Sequence, residues 1–551
     1  MEQGRFRGDA AVQIITLQQC CRLRRRQQRR LAPPVPVLLL VVLLFCSTVL
    51  CPVQACTSIM VGKRASADGS VIIARTQDTP FANCTQYMLY HPAREGPATF
   101  RSNPFVSGTG DTNFSIELQA PGLWYVAFPD FETVAPGRNA SFEEVGWNSA
   151  GLAVSATETI ASNNATLEAD PLAPNGIAEE NIPSLILPQA TNARQAVQLL
   201  GGYIERYGSG EGFGCLFADT QEAWYLENAG GHLWLAQRIP DGAFFVTANQ
   251  GRFQEVDLDD ANNVLASPGL VEFAVRHGLH DASSGAPFNW LRSFVEDTGQ
   301  DVVYNYPRVA FLQARLGLED TSAAGPFFPV FQQPARPLGV LDVMNSLRVH
   351  YQGTPHDPYA NQNPREPWRP VAVLRTSQAH VTRLRAEPSL PDPLSIITYV
   401  CASTPFLAPF VPLYKGLLSN ALPAALAGAS ETDPNGLFWK ARRLQALVFQ
   451  DWRALGPSTT EAIAKWETDV ELRQRPAFEE RFTQLWQAGR QDQAVQALAA
   501  FTQDMVAQAG QLLDELAVAA AAQQGRNGLP PDGILAGMLW ETSLAYLFHG
   551  A

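Results

Sequence analysis

The feature that most constrains the fold is a pair of short β-branched runs separated by one turn. Thr57–Gly62 and Val71–Arg75 have the length and the Val, Ile and Thr content of strands, and the eight residues between them contain an Asp-Gly turn signal. The pattern predicts an antiparallel hairpin that folds back about residue 66. In that register residue 76 lies opposite residue 56, so Arg75 and Asp78 are expected to return close to Cys56.

Further strands and helices follow in an order typical of an α+β protein. Asn192 is the predicted N-cap of a helix that runs to about Tyr207. From about Phe438 the pattern is helical, and Ser458 with Glu461 is predicted to form a capping box at a helix start. Short strands are predicted at Trp124–Phe128, Leu152–Ala156, Cys215–Ala218, Ala223–Glu227, Leu233–Ile239 and Ala243–Ala248.

The first 55 residues have the three parts of a secretory signal. Eight Arg stand against Glu2 and Asp9, the apolar run Val37–Cys46 follows, and the segment ends in Val53-Gln54-Ala55, a small-residue cleavage pattern. The run is shorter than the roughly 20 residues of a membrane span, so an uncleaved anchor is the less favoured interpretation. The pattern predicts removal of residues 1–55 and one mature domain of residues 56–551 that begins with Cys56.

Charge and sequons agree with a secretory route. Removal of the segment would leave 32 basic and 51 acidic residues and change the net charge from −13 to −19. An acidic surface disfavours nucleic acid and anionic membranes as partners. The signal pattern predicts a location outside the cell or in a lysosome-like compartment. Four Asn-x-Ser/Thr sequons are candidate glycan sites, at Asn83, Asn113, Asn139 and Asn164.

Few cysteines remain in the predicted mature chain, namely Cys56, Cys84, Cys215 and Cys401. A disulfide-dense scaffold is excluded by this number. If Cys56 is a nucleophile, at most one bridge joins the other three, and the pairing among them stays open. The His residues show no His-Glu-x-x-His or paired-Cys spacing, so the sequence predicts no metal and no other cofactor.

A Cys that follows a cleavage site has two ordinary meanings. One is lipidation of a bacterial lipoprotein, which the sequons and Gln54 disfavour. The other is an N-terminal nucleophile, whose own α-amine, with a pKa of about 7.7–8.0, serves as general base. A thiol is the most readily activated of the common nucleophiles, which favours the second meaning.

The string from Cys56 to Asp78 resembles the start of the mature dipeptidase/secernin family of N-terminal-nucleophile (Ntn) cysteine hydrolases. That resemblance implies a four-layer αββα sandwich with additional C-terminal helices from about residue 430, and amide hydrolysis through a thioester on Cys56. It continues to about residue 450 in the blocks Gly146–Gly151, Ser155–Thr159, Ala223–Glu227, Gly230–Trp234, Arg238–Asp241, Thr247–Gln250, Leu341–Met344, His350–Thr354 and Arg375–Ser377.

The resemblance also implies catalytic roles for individual residues. Asp78 would hold the Cys56 amine by a charge-assisted hydrogen bond, and Arg75 would favour the thiolate. Asn249, at the end of a strand, is the candidate oxyanion donor. Asn148 is a weaker candidate for the same pocket or for alignment of the substrate, and its alternative interpretation is a cap on the turn before Gly151.

Two more residues are candidates for substrate binding. Glu227 is a candidate for recognition of a substrate ammonium, and the favoured alternative is a solvated strand end. His232 invites a Cys–His pair, although a lone His before an apolar strand is more often structural and an N-terminal amine makes it unnecessary as a base.

Three functions are compatible with these residues. The first is a dipeptidase that cleaves short, unblocked peptides, and the second is an Ntn amidase or acylase acting on N-acyl or non-peptide amides. The third is a non-catalytic secreted or membrane-anchored binding protein. A dipeptidase should lose activity when the substrate amine is blocked, whereas an acylase should not. The sequence leaves the dipeptide preference open, together with the choice between monomer and homo-oligomer.

Overall fold

The computed structural model describes residues 56–79, 86–102, 114–129, 143–318, 325–417, 422–426, 435–526 and 528–530. Within these ranges the protein is an α+β structure with two large antiparallel sheets and one small sheet. The predicted signal, Cys84 and three of the sequon residues (Asn83, Asn113 and Asn139) lie outside the described residues.

The first large sheet contains the predicted hairpin at its centre. Thr57 pairs with Thr76 and Ser58 with Arg75, a register that would place residue 77, one later than predicted, opposite Cys56. Its seven strands are, in spatial order, β14 (Phe331–Gln332), β12 (Phe244–Thr247), β1 (Thr57–Val61), β2 (Val71–Asp78), β15 (Thr376–Leu384), β16 (Ile396–Cys401) and β17 (Val411–Tyr414).

The second large sheet contains all five strands predicted between residues 124 and 239, which confirms those predictions, and three strands that were not predicted. Its eight strands are, in spatial order, β13 (Val264–Ala266), β11 (Leu233–Arg238), β10 (Ala223–Ala229), β9 (Phe213–Ala218), β8 (Ala153–Thr159), β7 (Glu143–Asn148), β6 (Tyr125–Pro129) and β3 (Leu89–His91). The small sheet pairs β4 (Ala98–Arg101) with β5 (Ser115–Leu118).

Helices are short between the strands and long toward the C-terminal end. The α-helices are α1 (Asn164–Ala169), α2 (Ile182–Ile186), α3 (Ala193–Tyr207), α4 (Leu270–Arg276), α5 (Trp290–Phe294), α6 (Asp301–Tyr304), α7 (Tyr306–Leu316), α8 (Val340–Leu347), α9 (Leu437–Val448), α10 (Trp452–Asp469), α11 (Arg475–Gln487) and α12 (Gln491–Gln523). Single 3₁₀ turns lie at Glu179–Asn181, Ala282–Ser284, Asp392–Leu394 and Phe449–Asp451, and a π-helical turn at Val470–Gln474 joins α10 to α11.

The two large sheets face each other across the main core. Strand β2 contacts β8, β9 and β10 of the second sheet, and Ile73, Trp147 and Leu216 are fully buried in the core between them. Each such side chain contributes about 1.5–3 kcal/mol by leaving water. This packing fixes the distance between β2 and the second sheet, which matters for the groups that β2 carries.

Helices cover other faces of both sheets. The predicted N-cap is confirmed, because the Asn192 side chain accepts a hydrogen bond from Gln195 N at 2.9 Å, and α3 buries Leu200 against the second sheet. Helices α8 and α12 contact the first sheet. No described helix combines the length and the apolar character that crossing a membrane requires.

The predicted capping box at Ser458 is wrong, since α10 begins six residues earlier. Asp451 is the N-cap, and its carboxylate accepts a hydrogen bond from Ala454 N at 3.3 Å. Ser458 lies inside the helix, where its hydroxyl donates to Leu455 O at 3.2 Å. A hydroxyl that bonds back to the preceding turn is the alternative to capping for a Ser within a helix.

Candidate active site

Cys56 immediately precedes β1, the strand that lies between β12 and β2. Because the neighbouring strands are antiparallel to β1, its start lies beside the ends of both neighbours. Ser58 pairs with Arg75 on one side and with Thr247 on the other. The topology thus brings the segments that follow Arg75 and Thr247 to the edge of the sheet where Cys56, 5% exposed, is located.

Arg75 is the charged group that the structure places against the thiol. Its Nη1 lies 3.4 Å from Cys56 Sγ, and its Nη2 donates to Glu144 Oε2. All three side chains are buried. A guanidinium keeps its charge at any physiological pH, and its field favours a thiolate over a thiol. The contact is the one that the predicted role of Arg75 requires.

Asp78, at the end of β2, is buried and bonded to two groups that the sequence did not single out. Its carboxylate accepts hydrogen bonds from the Arg369 guanidinium and the Thr376 hydroxyl. Burial alone would lower the pKa of Arg369, but Tyr304, Asp78 and Cys56 outweigh burial and raise it. Arg369 therefore interacts with both Asp78 and the nucleophile, while the bond from Asp78 to the Cys56 amine stays a prediction.

Asn249 follows β12, and Arg308 fixes the orientation of its amide. Arg308 Nη2 donates to Asn249 Oδ1 at 3.0 Å, and because a guanidinium can only donate, the amide oxygen must face it. Arg308 Nη1 also donates to the Cys56 carbonyl at 2.5 Å and to Thr57 Oγ1 at 2.9 Å. One buried side chain thus connects the backbone of the nucleophile to the amide of Asn249.

The nitrogen of that amide is held ready for an acceptor. Asn249 Nδ2 is buried and has no hydrogen-bond partner among the residues that the structure describes. An unpaired buried donor costs roughly 1–3 kcal/mol, so a compensating use is expected. Asn305 reinforces the arrangement, since its Nδ2 donates to the Asn249 carbonyl at 2.9 Å and its Oδ1 accepts from Arg308. A fixed, unused donor of this kind suits an oxyanion site.

Asn148 is not free to act as a second oxyanion donor, which corrects that prediction. Its Nδ2 donates to the carbonyls of Leu187 and Ala190 at 2.8 and 2.7 Å. Its Oδ1 accepts from the amides of Ala150 and Leu152, both at 3.1 Å. The side chain caps the turn after β7, as its alternative interpretation proposed.

Glu227 lies fully buried inside β10 instead of at a solvated strand end or in a substrate pocket. Its Oε1 accepts from Arg252 N at 2.7 Å, and its Oε2 accepts from Trp290 Nε1 at 2.9 Å. Arg252 lies three residues after Asn249, so Glu227 anchors the loop that carries the oxyanion candidate. The described contacts therefore assign Glu227 a supporting position and replace the predicted contact with substrate.

His232 is also placed outside the cluster around Cys56. It lies in the turn between β10 and β11 with a side chain that is 47% exposed, and its Nδ1 is 2.8 Å from Asp170 Oδ1. Its backbone N donates to the other oxygen of Asp170 at 2.6 Å. These contacts support the structural interpretation of His232 and give it no place in a Cys–His pair.

The buried position of Glu227 predicts a pH-dependent stability. Burial raises its pKa to about 7 from an ordinary value of 4.5, although the donors from Arg252 and Trp290 oppose the rise. The folded state then binds the proton more tightly than the unfolded state, so stability should fall as the pH rises from about 4.5 to about 7. The loss for this one group is about 2–3 kcal/mol.

Glu227→Gln should flatten that part of the profile, as measured by the free energy of unfolding in urea at a series of pH values. Glu255→Gln, which changes an exposed carboxylate after the same loop, is the matched control and should keep the wild-type slope. Parallel profiles for wild type and Glu227→Gln would show that Glu227 does not titrate in this range.

The other cysteines and the sequons add little to the site. Cys215 and Cys401 are buried thiols, and burial raises the pKa of each well above its ordinary value. Asn164, the sequon residue within the described ranges, is exposed in the first turn of α1, and its glycosylation stays a prediction. In the same ranges no three His, Cys, Asp or Glu side chains are grouped as a metal ion would require.

Sequence reasoning missed the residues that complete the cluster, which are Glu144, Asn305, Arg308, Arg369 and Thr376. Thr376 stood within the recognisable block Arg375–Ser377, so that block was a usable signal. The others are single polar residues without a repeating pattern. Their partners within the cluster lie 56 or more positions away along the chain, apart from the contact between Asn305 and Arg308.

The site places the buried Cys56 thiol beside a fixed guanidinium. Arg308 links the backbone of the same cysteine to Asn249, whose amide nitrogen has no described hydrogen-bond partner. These features define a hydrolase of the cysteine type. The profile of peptidase family C69 matches residues 55–465, which is most of the chain. The chain belongs to peptidase family C69 and is a cysteine-type hydrolase of peptide bonds. The matched segment begins at the residue before Cys56.

Named relatives agree with the family. A "Probable dipeptidase" of Salmonella dublin is 43% identical over 371 residues, which cover 66% of this chain and 82% of the relative. The "Dipeptidase" of Bifidobacterium longum is 33% identical, with 75% and 80% of the two chains covered. "Dipeptidase A" of Lactobacillus helveticus is 27% identical, with 73% and 83% covered.

Proposed function

We propose that the chain is a dipeptidase that cleaves short, unblocked peptides with the thiol of an N-terminal Cys56. The observation that carries the proposal is one junction: Cys56 Sγ lies 3.4 Å from Arg75, and Arg308 joins the Cys56 carbonyl to the amide of Asn249. The names of the relatives support dipeptides as the substrate class. The proposal takes the α-amine of Cys56 as the base, because His232, the other base that the sequence suggested, bonds to Asp170 in an exposed turn.

The proposed reaction follows from the roles of these groups. Cys56 Sγ attacks the carbonyl carbon while the α-amine accepts the thiol proton, and Asn249 Nδ2 donates to the oxyanion that forms. The C–N bond breaks as the amine returns the proton to the leaving amino group, which leaves a thioester. Water, giving its proton to the same amine, attacks the thioester, releases the acyl product as an acid and restores the thiol.

The proposal includes a mature chain that begins at Cys56, entry into the secretory route and the four-layer αββα arrangement of Ntn hydrolases. The signal pattern of residues 1–55 and the start of the family match at residue 55 support the maturation. The face-to-face sheets with helices on both support the arrangement. An amine can serve as base only when cleavage exposes it, so maturation and activity are expected to appear together.

The first test is the N-terminal residue of the protein purified from its native route, determined by peptide mass mapping. The expected residue is Cys56 with an unmodified amine, and the same preparation should hydrolyse unblocked dipeptides. A variant with Ala55→Pro, which is expected to block cleavage before Cys56, should accumulate uncut and inactive. A mature chain that starts elsewhere and still hydrolyses dipeptides would contradict the N-terminal amine as base.

The substrate class is tested with matched pairs of peptides that differ only in acetylation of the amino group. A dipeptidase should lose most of its kcat/KM on the acetylated member of each pair, because the site must recognise a charged ammonium. Equal rates on both members would instead favour the amidase or acylase alternative.

A further inference from the structure

Glu144 and Arg75 form an ion pair between the two large sheets. Arg75 is on β2 of the first sheet, and Glu144 is on β7 of the second. Their side chains are 1% and 4% exposed, so neither charge is solvated. Breaking a buried pair by removal of one partner costs several kcal/mol, so the pair is held in place. The guanidinium has two ends, and the pair uses only one of them.

The other end of the guanidinium reaches the nucleophile. Arg75 donates through Nη2 to Glu144 and through Nη1 toward Cys56 Sγ at 3.4 Å. A guanidinium is planar and rigid, so fixing Nη2 also fixes the direction of Nη1. Glu144 therefore decides where the positive charge lies relative to the thiol, and its negative charge offsets part of the field that the thiol experiences.

Two other titratable groups that the structure describes beside Arg75 carry little charge. His380 on β15 is the cross-strand partner of Arg75, and burial together with Arg75 holds its pKa well below the ordinary value, so it is neutral. Cys215 on β9 stays a thiol, because burial raises its pKa, with Glu179 and Glu144 adding to the rise and Arg75 opposing it. Glu144 is thus the ionisable neighbour whose charge counts most for Arg75. Burial raises the pKa of Glu144 too, and Arg75 opposes that rise.

We propose that Glu144 is a positioning residue that acts through Arg75 to set the pH at which the Cys56 thiolate forms. It does not touch the substrate; it aims Nη1 at Sγ and limits the positive field there. The inference rests on the proposed function only in taking Cys56 as the nucleophile. Arg369 interacts electrostatically with Cys56, and Asp78 accepts a hydrogen bond from Arg369. The variants that test the proposal leave both residues unchanged.

The test is the pH dependence of Cys56 alkylation by iodoacetamide in the mature protein, with the labelled residue identified by mass mapping. Glu144→Gln keeps an acceptor for Nη2 but removes the opposing charge, so the midpoint should fall by about half a pH unit or more. Glu144→Asp keeps the charge but draws the guanidinium back by one methylene, so the midpoint should rise. For both variants kcat should fall with a smaller change in KM.

Glu143→Gln is the matched control, since Glu143 is an equally buried neighbour on β7 whose described partners are His91, Tyr125 and Ser184. Its midpoint should equal that of the wild type. The proposal is overturned if folded Glu144→Gln keeps the wild-type midpoint, or if Glu143→Gln shifts it as far. If Glu144→Asp does not fold, the alkylation midpoint of Glu144→Gln alone decides whether the proposal holds. Because alkylation needs no substrate, a failure of the dipeptidase proposal would appear separately, as a wild-type protein that hydrolyses no dipeptide.

Discussion

Cys56→Ala is expected to abolish dipeptide hydrolysis, with a fall in kcat of about 10⁴-fold or more, because it removes the thiol that forms the proposed thioester. The change removes a single sulfur from a side chain that lies before β1 and leaves the pairing of that strand intact. Stability should therefore change by only about 1 kcal/mol. The measurement is kcat on an unblocked dipeptide, paired with thermal unfolding of the same preparation.

Two further variants separate loss of the nucleophile from loss of a buried cysteine. Cys401→Ala removes a thiol that donates to the carbonyls of Ser403 and Ala408, far from the junction in sequence, and should keep the wild-type kcat. Cys56→Ser keeps a hydroxyl but not the readily formed thiolate, and should be nearly as inactive as Cys56→Ala. If Cys56→Ala kept a tenth of the wild-type kcat, Cys56 would not be the nucleophile.

The second large effect is expected for Asn249→Ala, which should lower kcat by about 10²–10³-fold while KM changes little. A donor that acts only on the oxyanion stabilises the transition state by about 3–4 kcal/mol and contributes nothing to the bound ground state. The structure provides the geometry for this effect, because Arg308 holds the amide oxygen, and Nδ2 has no hydrogen-bond partner in the described ranges. Steady-state kinetics on one dipeptide give both parameters.

Asn148→Ala is the matched control, since Asn148 was the rival candidate and the substitution is the same. Its four hydrogen bonds hold the turn after β7, so the variant should lose stability by about 1–3 kcal/mol. The protein that remains folded should keep kcat within a few fold of the wild type. Equal losses of kcat in the two variants would remove the distinction that the structure draws between them.

The predictions of secondary structure were confirmed where an element depends on residues that are close together in the chain. The hairpin of β1 and β2, the strands of the second sheet and the helix capped by Asn192 all follow from patterns that span fewer than about 25 residues. The predicted capping box at Ser458 is wrong although it is equally local, because Asp451 caps the helix about two turns earlier. A Ser inside a helix can instead bond back to the preceding turn.

The predictions for functional residues depended on whether a local pattern connects the residue to Cys56. Arg75 was located correctly because the hairpin register connects it directly to Cys56. Substrate binding by Glu227 and His232 stayed open at the level of the sequence, because a sequence gives neither the burial nor the partners of a single polar residue. Glu227 in fact supports the loop of Asn249, and His232 bonds to Asp170 in an exposed turn.

The sequence by itself determined the family block at Cys56, the hairpin that returns Arg75 to it and the α+β order of the elements, because each depends on residues close together in the chain. Only the tertiary structure decided which polar groups meet the nucleophile. Glu144 reaches Arg75 because the two sheets pack face to face, and Arg308 joins Cys56 to Asn249 because α7 packs beside β12. Those contacts are made between distant segments, whose side chains are brought together by burial of the core and not by any local pattern.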